Sequence, residues 1–259
     1  MKLFVNIAFH YVAERVGFLH QVLTSVTSIK TEKTKIIINF NDVDIALMNN
    51  IVDKYPQGVI EVHKTTGLGN PFMLTWEHKK YLSEFLETDY THYAYLEDDM
   101  KLTQENIDYW IRTRKLFKDN DVNFLPSFYR VEIRNDGNKV SVDFMYPQKI
   151  EESKCITVEN EQYIFPNYPY HGMFVMDREL VEEHINSSAS DFNKCKRVYD
   201  IREDANVLYI FDDVPEGYPH RAVLPLNGLD ECAIHHVANN YSKDVNTLFG
   251  KILMNECFI

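Results

Sequence analysis

Four short runs of apolar, largely β-branched or aromatic residues punctuate the first hundred residues, and segments of helical period separate them. Leu3 to Phe9, Lys35 to Phe40, Val59 to Val62 and Thr91 to Leu96 read as strands. Between the first two, Phe18, Leu19, Val22, Leu23, Val26 and Ile29 recur at helical spacing. A second helix is expected over Val43 to Lys54, stopped by Pro56-Gln57-Gly58. A third is expected over Phe72 to Leu86, entered through an Asn70 N-cap with Pro71 at the first helical position. Strands alternating with helices dictate an α/β fold with a mostly parallel sheet flanked by helices. Ligands bind such sheets beyond the carboxyl ends of the strands. The fourth strand runs there into three consecutive acids, Glu97-Asp98-Asp99.

The pattern continues with a helix from Thr103 to Lys118 and then changes character. Asn123 to Ile133 and Lys139 to Tyr146 read as strands joined by the turn Asn135-Asp136-Gly137-Asn138. Glu151 to Tyr170 is aromatic and lacks helical period. A strand is expected over His171 to Met176, and Asp177 caps a helix running through Ile185. A helix over Asp200 to Phe211 and late strands over Arg221 to Leu226 and Cys232 to Val237 complete the chain. The expectation is one domain, residues 1–259, with a single sheet running through a parallel half (1–120) and a mixed half (121–259).

The net charge of −12 argues against a nucleic-acid binder, which needs clustered Lys and Arg. It does not exclude an anionic nucleotide accompanied by a divalent cation. The four cysteines, Cys155, Cys195, Cys232 and Cys257, show neither C-x-x-C nor zinc-ligand spacing. They are expected to be reduced, buried thiols. The first apolar run is too short for a signal peptide or a membrane span. A cytoplasmic protein, at most peripheral to a membrane, is therefore expected. The 16 Tyr and 16 Phe suit a site that stacks on rings, although a core accounts for most of them.

Three adjacent carboxylates delivered by an apolar strand need a cation to receive them. Along a strand neighbours alternate sides, so Glu97 and Asp99 are expected on one face and Asp98, as a supporting residue, on the other. Oxygen ligands favour Mn2+ or Mg2+ over zinc.

An apolar strand ending in Leu96-Glu97-Asp98-Asp99 and followed by a helix resembles the Asp-x-Asp-type motif of GT-A glycosyltransferases. The Glu-Asp-Asp form is similar to that of the N-acetylglucosaminyltransferases of N-glycan processing. The resemblance implies a GT-A-like (Rossmann-like) fold, Asp99 as the direct metal ligand, and a nucleotide-diphosphate sugar, a UDP-sugar above all, as donor. Glu97 would meet a ribose hydroxyl or a metal-bound water. It implies that the ends of the first strands hold base and ribose, here through His10, Tyr11, Arg15, Asn41 and Asp42. Gly67-Leu68-Gly69 is no P-loop, but lets backbone approach a pyrophosphate at the following helix start. Lys79, on that helix, is a candidate to offset phosphate charge.

Inverting members of this family carry a carboxylate base at the start of a late helix, matched in type and order by Glu203 and Asp204. Asp200-x-x-Glu203 is also a capping-box arrangement, so Asp204 is the preferred base and Glu203 the alternative. Several GT-A families bring a C-terminal His onto the metal, which points to His235, with His236 as the fallback. The acceptor, a glycan or a lipid-linked sugar, would meet Tyr129, Arg130, Tyr170, His171 and Gly172, with Tyr163 and Tyr168 nearby as stacking candidates. Two rivals remain. A sugar-phosphate nucleotidyltransferase wants a glycine-rich basic loop after strand one, where this chain has no glycine before Gly17. A non-catalytic carbohydrate-binding protein would use the tyrosines without the paired acidic clusters.

Overall fold

The first apolar run becomes β1 (Lys2–Phe9), the middle strand of a five-stranded sheet in a computed structural model. The structure describes residues 1–169, 172–196 and 198–259. On one side of β1 lie β2 (Lys33–Phe40) and β3 (Ile60–Lys64), both parallel to their neighbours. On the other lies β4 (His92–Glu97), also parallel, with Ala8 opposite Glu97. The strand Met173–Asp177 closes the far edge antiparallel to β4. This is the mostly parallel, Rossmann-like and GT-A-like order that the strand–helix alternation predicts. The chain turns from building one side of β1 to building the other between β3 and β4. The gap beyond the ends of β1 and β4 is thus the topological switch point.

The chain divides into two compact units, Met1–Asp99 with Gly172–Tyr209, and Met100–His171 with Ile210–Ile259. The expectation of one sheet running through both halves is corrected: the described residues form three sheets. In the second unit one sheet has the order Leu125–Pro126, Ala222–Pro225, Glu161–Ile164, Cys155–Val158. The other has the order Met100–Lys101, Ala233–His236, Tyr129–Ile133, Lys139–Ser141. The hairpin at Asn135–Asn138 forms as expected. The aromatic stretch after Glu151 also contains a hairpin, which its lack of helical period left open. Tyr163 on that hairpin is fully buried with Phe117, Phe124, Phe165 and Val223, so it serves a core and not a sugar.

In the first unit α1 (Val16–Ser28) buries Leu19, Val22, Leu23 and Val26, the residues that carried its period. α2 (Ile45–Val52) and α3 (Leu82–Glu87) are shorter than expected. Before α3, Pro71–Tyr81 winds as a 3-10 helix where the sequence predicts α. Side chains explain the change. The Thr75 hydroxyl donates to Phe72 O at 2.8 Å, the His78 ring Nδ1–H to Thr75 O at 2.5 Å, and the Tyr93 hydroxyl to His78 O at 2.9 Å. These bonds occupy carbonyls three residues apart along one eclipsed row. The Asn70 cap holds: its Oδ1 accepts from Phe72 N at 2.9 Å.

Asn6 interrupts the apolar run of β1 and is fully buried. Its Oδ1 accepts from Asn39 Nδ2 at 2.8 Å, and Asn39 Oδ1 accepts from the Tyr81 hydroxyl at 3.0 Å, while Asn6 Nδ2 has no hydrogen-bond partner among the described residues. Two cysteines, Cys232 and Cys257, are buried, but Cys155 is exposed, against expectation. All four are free thiols. Among the described residues no helix is long and apolar enough to cross a membrane.

Arg178 closes the carboxyl end of α3. Its guanidinium donates to the carbonyls of Leu86 (2.6 Å), Thr88 (2.9 Å) and Tyr90 (3.0 Å), which have no helical partners to accept from. Arg178→Ala should lower the unfolding free energy by about 2–3 kcal/mol, the cost of stranding partly buried carbonyls. Arg178→Lys should recover only part of it, because an ammonium lacks the fork. Urea unfolding of the three proteins checks this.

Candidate functional site

β4 ends at Glu97, and Asp98 and Asp99 form the turn that follows. Strand alternation therefore stops one residue earlier than expected, and the division of faces is corrected. Asp98 and Asp99 both turn to Arg15, in the loop after β1. Arg15 Nε donates to Asp98 Oδ2 and Nη2 to Asp98 Oδ1, each at 2.8 Å. The same Nη2 donates to Asp99 Oδ2, also at 2.8 Å. Asp98 thus accepts two of these three bonds from the Arg15 guanidinium, and Asp99 one. Both carboxylates are 4% exposed.

Burial, with the charge of Asp99 beside it, raises the Asp98 pKa well above the ordinary carboxylate range, although Arg15 pulls it down. Burial opposes the charge of Arg15, but its bonds to Asp98 and Asp99 prevail and its pKa rises. The two shifts have opposite senses, one disfavouring the charged pair and the other favouring it. Two carboxylates share one guanidinium, so Arg15 stays charged while one negative charge is left over, and Asp98 holds its proton more tightly than an ordinary Asp.

A cavity of about 200 Å³ opens at this point. Ala8 and His10 line it from the end of β1, Glu97 and Asp98 from the end of β4, with Arg15. Its other wall is Phe72, Leu74 and Thr75 of the 3-10 helix, and Arg202. The Arg202 guanidinium lies 5.8 Å from the centre of the Phe72 ring and donates to Glu203 Oε1 at 3.2 Å. A second groove, of about 380 Å³, runs past Asn41, Asp42 and the loop Lys64–Leu68, and shares Pro71 with the first. Gly67 there has φ +75°, a conformation that costs glycine nothing.

Several expected residues meet in this region. Asn41 Oδ1 accepts from Tyr11 N at 3.3 Å. Asn41 Nδ2 donates to Asp42 Oδ2 at 2.8 Å and lies 2.9 Å from His10 Nδ1. An amide nitrogen can only donate, so His10 Nδ1 accepts and the ring proton of neutral His10 sits on Nε2. Asp42 is held with φ +64°, in the left-handed region. Gly172 lies beside Glu97, its carbonyl accepting from Glu97 N at 3.0 Å. Tyr170 and His171 lie outside the described residues.

Other expectations are corrected. Lys79 does not line either cavity. Its Nζ donates to His184 Nε2 at 2.7 Å and to Ala189 O at 3.0 Å, and packs 5.0 Å from the centre of the Trp76 ring. Asp204, the expected base, is not among the residues that line the cavity. Asp204 is fully buried, and its Oδ1 accepts from Tyr199 N at 2.8 Å and Val198 N at 3.3 Å, so it braces the entry to the helix Ile201–Val207. Glu203 is only partly buried and pairs with Arg202, on the cavity wall.

In the second unit Arg130 forks onto buried Asp143, with Nε 2.7 Å from Oδ1, and Tyr129 is 2% exposed. Neither presents its polar group to an acceptor. Tyr168 is half exposed. His236, not His235, has its ring fixed by a carboxylate: Nδ1 donates to Glu132 Oε1 at 2.7 Å, and Glu132 is fully buried. His235 Nε2 is 3.4 Å from Asn239 Oδ1. The cavity residues that sequence reasoning passed over are Phe72, Leu74 and Thr75. Their only signal was their place just after the Asn70-Pro71 cap.

Among the described residues no three His, Cys, Asp or Glu side chains form a metal-holding group. Asp98 and Asp99 nonetheless fit a hard cation in one way. Arg15 Nη2 is a stand-in, a positive nitrogen bridging one oxygen of each. Mg2+-type sites commonly use one or two carboxylates and take their other ligands from phosphate and water.

Fold and site together define an α/β chain with a charged cleft at the switch point of a mostly parallel sheet. No protein-family model and no curated protein sequence matches it. Among solved structures it is similar to a 4-diphosphocytidyl-2C-methyl-D-erythritol synthase from Anaerococcus prevotii, with 15% identity over 86% of this chain and 87% of that one, and a TM-score of 0.41. It is also similar to a CMP:2-keto-3-deoxy-manno-octonic acid synthetase complexed with CTP, with 8% identity over 71% and 77% of the two chains, and a TM-score of 0.40. Neither likeness is close enough to assign an activity.

Burial lowers the pKa of Lys79 from its ordinary value to about 7. Between that value and about 10.4 the unfolded chain holds a proton that the folded chain has released, so stability rises with pH in this window. Below it both states are protonated and the full cost of the buried charge remains. Lys79→Met should remove this rise. Urea unfolding at pH 7 and pH 9 should show the wild type gaining stability relative to the variant at the higher pH.

Proposed function

We propose that this chain is a transferase that binds a nucleotide-diphosphate sugar across the carboxyl ends of β1–β4 and transfers the glycosyl group to an acceptor hydroxyl. One observation carries the reading: the paired Asp98 and Asp99 at the switch point, both held by the Arg15 guanidinium, with Asp98 lining a cavity. The groove past Asn41, Asp42 and Thr65 takes base and ribose, with the Asp42 carboxylate as acceptor for a base N–H, as uracil offers. The diphosphate lies towards Arg15 and Asp98. The sugar lies towards Glu97, Phe72 and Arg202.

Charge supports a bound divalent cation. Two arginines, Arg15 and Arg202, stand against four carboxylates, Glu97, Asp98, Asp99 and Glu203. A diphosphate would add to that excess, and a divalent ion is the usual remedy. Asp98 and Asp99 would hold Mn2+ or Mg2+, which when bound stabilises the charge of the departing nucleoside diphosphate. Glu203, the more accessible carboxylate of its pair, acts as base on the acceptor hydroxyl, and Arg202 orients it through the 3.2 Å contact. Attack on the face opposite the leaving diphosphate inverts the anomeric centre.

A second reading, nucleotidyl transfer onto a sugar phosphate, is favoured by one feature. Arg15 stands directly after β1, where that chemistry needs a cation for a triphosphate. The products separate the two: glycosyl transfer releases a nucleoside diphosphate, nucleotidyl transfer releases pyrophosphate.

With Mn2+ present, a UDP-sugar at a hundredfold excess over its Kd should raise the melting temperature by about 5 °C. Asp99→Ala should abolish that shift and lower UDP release at least about a hundredfold. A screen in which no nucleotide sugar shifts the melting temperature with Mn2+ present would refute the reading.

A further inference from the structure

One nitrogen, Arg15 Nη2, lies 2.8 Å from Asp98 Oδ1 and 2.8 Å from Asp99 Oδ2. With Nε on Asp98 Oδ2, the guanidinium engages three of the four oxygens of this pair. A hard cation held by these carboxylates would compete with Arg15 for the oxygens it engages. We propose that Arg15 is a displaceable counter-cation: a divalent ion and Arg15 exchange on Asp98 and Asp99, and the freed guanidinium passes to the phosphates of the incoming nucleotide. This rests on the nucleotide-diphosphate reading of the site for its second half only.

The exchange follows from where each charge finds a partner. Two buried carboxylates so close together are costly without a cation between them. Arg15 supplies that cation while the cleft is empty. A metal ion arriving alone must break three charged hydrogen bonds, offers the guanidinium no new acceptor, and must complete its own shell from water. A metal ion arriving with a diphosphate brings oxygens for itself and for Arg15 together. Ion and nucleotide are then expected to bind with mutual reinforcement. Arg15 is built to move. It ends the short 3-10 turn Ala13–Arg15 ahead of α1, its side chain is 31% exposed, and it lines the cavity that the phosphates would enter.

The test is a calorimetric titration with Mn2+ alone, without nucleotide. Arg15→Gln should bind Mn2+ at least tenfold more tightly than the wild type. Adding Asp99→Asn to that variant should remove the gain. Arg15→Lys, which keeps the charge and loses the fork, should show an intermediate gain and serves as the readout should Arg15→Gln not fold. Equal Mn2+ affinity in wild type and folded Arg15 variants would overturn the exchange. In a second arm, saturating UDP should tighten Mn2+ binding to the wild type at least tenfold, and tighten binding to Arg15→Gln much less. An equal effect on both would overturn the passage of Arg15 to phosphate. Absence of any UDP binding would instead defeat the nucleotide reading and leave the Mn2+-only result standing by itself.

Discussion

The contact on which this site depends is the fork of Arg15 onto Asp98 and Asp99. It ties the loop after β1 to the turn after β4, the two segments that flank the switch point of the sheet. Each carboxylate alone could be solvated. Together, at 4% exposure and adjacent in sequence, they need a positive charge between them. The guanidinium meets that need bidentately at Asp98, where an ammonium would reach one oxygen at a time. The cavity beside it keeps its shape because its polar wall is already bonded.

Sheet order explains why these residues meet. β1 is central, β2 and β3 extend the sheet one way, and β4 is added on the other side of β1. Loops that follow β1 and β4 therefore leave the sheet side by side, although more than eighty positions separate Arg15 from Asp98 in the chain. The 3-10 helix Pro71–Tyr81 supplies the facing wall. Its eclipsed geometry stacks Phe72, Thr75, His78 and Tyr81 in one row. His78 and Tyr81 anchor the row inward, and Phe72 and Thr75 are left at the cavity.

Much of the first unit could be read from residues alone, because β1, β4 and the second half of β2 are buried on both faces and their apolar runs are nearly unbroken. The acids of β4 and the Asn70 and Asp177 caps were legible for the same local reasons. In the second unit the helix Gln104–Asp119, the hairpin turn and the late strands lie where expected, but the separate sheets of this unit were not legible. Its strands run from two to five residues, too short for a period to be counted, and its hairpin at Cys155–Ile164 carries no unmistakable turn signal. Lys79, Asp204 and Arg130 have partners that the sequence does not show, for one shared reason. A polar residue in a loop or on a helix looks the same in sequence whether it faces a ligand or satisfies buried backbone or a buried charge. Only the partners decide: His184 for Lys79, the Val198 and Tyr199 amides for Asp204, and Asp143 for Arg130.

The same reasoning separates Glu203 from Asp204. A base must be able to lose and regain a proton within reach of its substrate. Asp204 Oδ1 already accepts two backbone N–H groups, and protonating it would weaken the brace that starts the helix Ile201–Val207. Glu203 is tied to one partner, Arg202, on the wall of the cavity, at a distance of 3.2 Å that marks a loose contact for a charged pair. Asp204 holds the helix start in place, and the adjacent Glu203 is the less buried of the two.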